Sequence, residues 1–273
     1  MVLAAGIVAS SGCRWSALSA AGRWPARGLR QAAPATAPPA WPPHLVLDRA
    51  LDAGAAAALR AELVVLGAHL ERLLGTPPGE RPLTFTVFAA EATYRSYVAQ
   101  RYPDFPYRRA VFVDGGGRME AAGYWGPHIR EDLRHESTHA YLHASMPGLP
   151  LWLDEGLAEY FETDPAPGAE QAAHRDVLAE ARRSEGRRPD LERLERLTDA
   201  STMSAADYAE SWLWAHYLLR DPHRAAALAS YLKDLREGRG AEPISVRLAR
   251  VAPSAAAELA AEVEGAGRRA LAP

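Results

Sequence analysis

The 273-residue sequence has one cysteine, Cys13, which excludes an intrachain disulfide and a cysteine-rich zinc knuckle. It has little excess of either charge: 31 basic against 34 acidic residues leave −3. A near-neutral chain carries no general attraction for nucleic acid or for an anionic membrane, so no nucleic-acid partner is expected. No run of about 18 apolar residues occurs either, so no conventional spanning helix is expected. What remains is an ordinary globular composition, 48% hydrophobic and 24% charged, long enough to bury a sizeable core. A metal site in such a chain must be built from imidazole and carboxylate, and nine histidines supply the first.

The chain divides into three parts. Residues 1–30 read as a leader: the apolar stretch from Met1 to Ala9 runs into Ser10-Ser11-Gly12-Cys13, which resembles the end of a bacterial lipoprotein signal with Cys13 as the lipidated residue. No basic segment precedes it, and Ser10 stands where such signals usually carry Leu or Val. The expectation is a cell-envelope, periplasmic or extracellular protein with a membrane tether through Cys13 only. The alternative is an Ala-rich N-terminus on a cytoplasmic protein. Residues 31–43 hold five prolines and read as an extended linker. Residues 44–273 form the folded domain.

Within that domain the periodicities predict helix over 51–74, a strand at 83–89, helix over 91–102 and a strand at 110–113. A turn at 114–117 leads to a returning strand at 118–124. Helices follow near 130–145, 153–162, 169–184, 205–220, 222–236 and 254–270. The fold class is therefore α+β: a small N-terminal mixed β-sheet and a predominantly helical C-terminal half.

One helix carries His135-Glu136-Ser137-Thr138-His139, an HExxH motif. Residues i and i+4 share a helical face, so His135 and His139 can point at one ion. Glu136 lies about 100° around the helix, within reach of a water on that ion without being a ligand. The breaker Met146-Pro147-Gly148-Leu149-Pro150 lets a second helix, containing Trp152-Leu153-Asp154-Glu155-Gly156-Leu157-Ala158-Glu159-Tyr160, fold back. Glu155 can then supply a third ligand and leave a fourth position open. Glu159, one turn on, can accept the free N–H of a ligand histidine.

HESTH followed by WLDEGLAEY resembles the gluzincin zinc metallopeptidases, a superfamily that includes thermolysin and aminopeptidase N. It is most similar to the bacterial peptidase-MA-like domains. The resemblance implies a zincin-like metallopeptidase fold, one zinc ion on His135, His139 and Glu155, and Glu136 as general base. Asp207-Tyr208-Ala209-Glu210-Ser211-Trp212 is similar to the aminopeptidase helix whose tyrosine stabilises the oxyanion, which implies that role for Tyr208. The similarity runs from about Leu83 to Leu235. The spacer from His139 to Glu155 is shorter than in thermolysin or the aminopeptidases. Gly117-Arg118-Met119-Glu120-Ala121 lacks the Asn of the strand with which aminopeptidases grip a substrate amine. An edge strand there could still pair with an extended peptide.

The expected activity is zinc-dependent hydrolysis of a peptide or protein substrate. The alternatives are a zinc-containing scaffold module with little turnover and a zinc hydrolase of a non-peptide amide. His143 reads as a surface residue or as a support behind a ligand, because a further turn places it too far along the helix to share the ion. His128, His216 and His223 read as helix-face residues. Trp212, Trp214 and Tyr217 read as core. The charges from Arg187 to Arg196 read as a solvated segment.

Overall fold

The computed structural model describes residues 41–103, 107–115, 118–163 and 172–270, the last five by backbone only. The proposed leader, Cys13 and most of the linker lie outside the described residues, as does the start of the helix predicted from 169.

The first strand, β1 (His44–Leu47), is absent from the sequence-based elements. It is followed by α1 (Ala53–Leu74), β2 (Leu83–Phe88), α2 (Glu91–Arg101), β3 (Ala110–Gly115) and β4 (Arg118–Tyr124). The four strands form one mixed sheet in the order β1-β2-β4-β3. β1 and β4 each run parallel to β2, and β3 returns antiparallel on β4 with Phe112 opposite Ala121. β4 is thus interior, paired on both sides, and the strand expected at an edge around 118–121 is not one. The edges are β3 and β1.

Period-two burial along β2 assigns the faces. Leu83, Phe85 and Val87 are buried, joined on the same face by Phe112, Met119 and Ala121. That face is covered by α1 and by α3 (Ile129–Ser145). The other face presents Val111 and Ala122 to Tyr94 and Val98 of α2, in a smaller aromatic-rich cluster.

Helix α1 is capped at both ends: the Asp52 side chain accepts from Ala55 N, and Gly75 takes the left-handed conformation at φ 64°. It is the one helix among the described residues long and apolar enough, by length and composition, to cross a membrane. Its Leu59, Leu63, Leu66, Leu70 and Leu74 are instead spent on the core. Interspersed Arg60, Glu62, Glu71 and Arg72 keep any uninterrupted apolar run short.

The helical half continues with α4 (Leu151–Phe161), α5 (Ala172–Glu185), α6 (Leu191–Glu195) and a 3-10 turn at Ala200–Thr202. Then come α7 (Ala205–Leu219), α8 (Pro222–Arg236), α9 (Ile244–Val251) and α10 (Ala255–Ala270). Gly148, at φ 77°, turns the chain between α3 and α4. Helix α4 packs against both α3 and α7. Its approach to α7 depends on Gly156, where a Cβ would sit 2.4 Å from the Ser211 carbonyl oxygen.

The segment from Arg187 to Arg196 is only partly solvated: Arg188, Asp190, Glu192 and Arg196 are exposed, whereas Arg187 and Arg193 turn toward α7. Arg193 Nη1 lies 2.7 Å from Asp207 Oδ1 and its Nη2 2.8 Å from Glu210 Oε2. Arg187 pairs with the same two carboxylates. Glu210 is 1% exposed, so the arginines compensate a buried charge at the start of α7. Trp212, Trp214 and Tyr217 are all buried in the core, as the pattern predicts.

Candidate metal centre

Helix α3 is polar in composition yet buried along most of its length. Asp132, Arg134, His135, Glu136, Ser137, Thr138 and His139 are all buried, because the sheet, α1 and α4 surround them. Burial of so many polar groups costs free energy unless they are partnered. Several are held from outside α3. Arg134 pairs with Glu62 of α1 and donates to the Glu162 carbonyl at 2.6 Å. Asp132 takes a 2.9 Å ion pair from Arg109, just ahead of β3.

The two motif histidines converge. His135 Nε2 and His139 Nε2 lie 3.2 Å apart, and Glu155 Oε2 of α4 lies 3.7 Å from His139 Nε2. Donor atoms of all three residues fall within 4.8 Å of one another. Donors 2.0–2.1 Å from a tetrahedral ion are separated by roughly 3.3 Å, so these spacings could accommodate a metal ion.

The chemistry behind the rings makes the same point. His135 Nδ1 is 3.0 Å from Glu162 Oε2, and His139 Nδ1 is 3.0 Å from Asp154 Oδ1. Where these carboxylates are ionised they only accept, which favours the tautomer with the hydrogen on Nδ1 and a lone pair on Nε2. Two lone pairs facing each other at 3.2 Å repel, and a cation between them removes the conflict. Glu155 Oε2, fully buried and without a hydrogen bond, adds a third electron pair to the same space. The residues fit a metal ion.

Electrostatics follow from burial. Burial pushes the Glu155 carboxyl well above the usual carboxylate range, and neighbouring Asp154, Glu159 and Glu136 push it further, against the pull of His135. Burial raises Glu136 to about 8, again against His135, with Arg108 also opposing the rise. His139 is lowered, chiefly by burial. Glu136 Oε2 makes no hydrogen bond, nor does the buried Arg108 Nη1.

The other sequence-predicted residues are placed as follows. Glu159 belongs to a buried group with His135 and Glu162, but the contact at its Oε2 is His174 Nε2 at 2.9 Å. The carboxylates on the ligand Nδ1 atoms are Glu162 and Asp154, neither of which the sequence reading selected. Both had a signal: Asp154 adjoins Glu155, and Glu162 follows it by seven residues on the same helical face as Glu159. Tyr208 is buried on α7, one turn before the Ser211 contact with Gly156. His128 is exposed on Glu131, and His216 stacks on Trp212 with ring centroids 5.2 Å apart. His143, half-buried, bonds to Asp154.

The search of curated proteins gives no match. Residues 131–239, about two fifths of the chain, match a family described as "Protein of unknown function (DUF1570)", and that stretch includes His135, His139 and Glu155.

Proposed function

We propose that the chain is a zinc-dependent peptidase. The observation that carries this reading is the convergence of His135 Nε2, His139 Nε2 and Glu155 Oε2, with Glu136 next to His135 in the chain. Three protein ligands leave a zinc ion open at a fourth position, whereas a structural site is closed by four and has no use for a general base. Zinc held there would supply Lewis acidity, which makes water a nucleophile near neutral pH and polarises a carbonyl.

The protein's own groups do the rest. Glu136, without a hydrogen bond at Oε2, takes the proton of the attacking water and gives it to the leaving amine. Tyr208 donates to the oxygen on which negative charge develops. An extended peptide suits the edge of β3, whose inward Phe112 stacks on His139 with ring centroids 5.9 Å apart. Such a substrate would lie along the strand next to the ion. If residues 1–43 act as leader and linker, the enzyme works at the cell envelope on a tether from Cys13.

The test is Glu136→Gln. Wild-type protein is expected to purify with one zinc per chain and to cut peptides in a mass-spectrometric library. The variant should keep the zinc and lose at least 100-fold in rate. An equally active Glu136→Gln protein would refute the mechanism, and stoichiometric zinc without cleavage of any peptide would refute peptidase activity.

A further inference from the structure

His143 lies one turn beyond His139, too far along α3 to bind the same ion. Its ring is nevertheless clamped on both sides. Nδ1 is 3.1 Å from Asp114 Oδ2, and Nε2 is 3.0 Å from Asp154 Oδ2. The other Asp154 oxygen is the one 3.0 Å from His139 Nδ1. Asp114, near the end of β3, is in turn gripped by Arg81 from the segment leading into β2, with Nη1 2.9 Å from Oδ2. A continuous chain therefore runs Arg81–Asp114–His143–Asp154–His139, from a part-exposed arginine to a fully buried ligand ring. Phe112 fixes its flank, stacked on His139 and edge-on to His143 at 5.2 Å.

Between two carboxylates that only accept, a histidine donates from both nitrogens and is an imidazolium. Burial opposes that charge, but Asp154 and Asp114 outweigh it and hold the pKa up to about 10. The buried Asp154 carboxylate thus has two cationic or donating neighbours, one for each oxygen.

We propose that His143 is a positioning residue of the metal centre. Backed by Asp114 and Arg81, it occupies Asp154 Oδ2 so that Oδ1 holds the Nδ1 hydrogen of His139 and aims Nε2 at the ion. The inference rests on the metal-site reading above and not on catalysis. It also joins the edge strand, where a peptide would lie, to a metal ligand on a different element. A rival use of the same atoms exists, since His139, His143 and Asp154 bring donor atoms within 4.8 Å and could hold an ion themselves. The 3.0 Å hydrogen bond from His143 to Asp154 and the 3.0 Å ion-pair contact from Asp154 to His139 favour the proton-sharing chain.

The experiment uses the full chain, stripped of metal and titrated with zinc against a competing chelator. The visible spectrum of bound Co(II) is recorded in parallel. Wild type should bind one zinc. His143→Gln should weaken zinc 10- to 100-fold and shift the Co(II) bands, as loss of a residue behind a ligand does. Asp114→Asn, three links removed from His139 and part-exposed, should weaken zinc in the same direction by less. In the double variant, Asp154→Asn should mask His143→Gln, because both act through one carboxylate. Wild-type zinc affinity and Co(II) bands in both single variants, with only thermal stability lowered, would overturn the proposal and leave the metal site standing. Two zinc ions per wild-type chain would also overturn it. A wild-type chain that binds no zinc would overturn the metal-site reading and the proposal together.

Discussion

Replacing Gly156 by alanine tests the packing that sets Glu155 in place. A Cβ at this position would lie 2.4 Å from the Ser211 carbonyl oxygen, 2.7 Å from its carbon and 3.3 Å from Ser211 Cβ. Ordinary contact begins near 3.4 Å, so the shortfall is about 1 Å. The obstructing atoms are backbone of α7 and cannot rotate aside. Relief requires α4 and α7 to part, opening the core around Trp152, Leu157 and Trp212. Two effects oppose each other. Alanine in a helix interior gains about 1 kcal/mol over glycine, while overpacking costs about 1–3 kcal/mol and more where backbone resists. The clash wins, and the net destabilisation expected is about 2 kcal/mol. Urea unfolding should show a lower midpoint at unchanged slope, and the melting temperature should fall by about 4–8 °C. Zinc affinity should fall as well, because the adjoining Glu155 moves with the helix. A Gly156→Ala protein as stable as wild type would refute the close approach of α4 and α7. Gly67→Ala provides the contrast. Its Cβ would meet the Trp41 ring at 1.9 Å, a shorter distance, but every close atom belongs to a side chain that can turn. The loss there should be smaller.

Two further predictions concern charge and metal. Asp207 forms a capping box with Ser204 and pairs with Arg187 and Arg193; burial would raise its carboxyl, but these partners lower it to about 2. Since the folded value lies below the unfolded one of about 3.9, the stabilisation is present above pH 4 and lost as pH falls through about 2. Asp207→Asn should therefore cost about 2 kcal/mol at pH 7, a deficit that shrinks toward pH 2.5 in urea titrations. A deficit independent of pH would contradict the pairing. Free zinc at about 1,000 times its dissociation constant should stabilise the fold by about 4 kcal/mol, raising the melting temperature by about 10 °C. His135→Ala should abolish that response in a scanning-fluorimetry titration, and a wild-type melting temperature indifferent to zinc and chelator would count against the site.

The ligand residues were legible because their geometry is local. His135 and His139 are spaced by the helix itself, and Glu155 follows a breaker in which only Gly148 needs the left-handed conformation. The two-faced sheet was legible from the alternation in LTFTVF. What was missed depends on contacts between distant segments. β1 is four residues long, and its partner β2 begins some 35 residues later, so no periodicity announces it. The arginines at 187 and 193 looked solvated because their carboxylate partners lie on α7. Asp154 and Glu162 looked like ordinary helix carboxylates until the rings they hold were placed. His143 shows the limit most clearly, since its two partners come from β3 and α4.

A buried helix as polar as α3 needs a reason beyond folding. Apolar residues of similar volume at these positions would pack the same space, often at no loss of stability. Here the polar residues are supported instead from several elements: Glu62 of α1, Arg109 ahead of β3, Asp154 of α4, and Glu162 just beyond it. Glu136 Oε2 and Glu155 Oε2, carboxylate oxygens that ordinarily each accept a hydrogen bond, make none. His135 Nε2 and His139 Nε2 converge on the same space, 3.2 Å apart. Stability alone gives such a cluster no purpose, whereas the proposed metal ion would give it one.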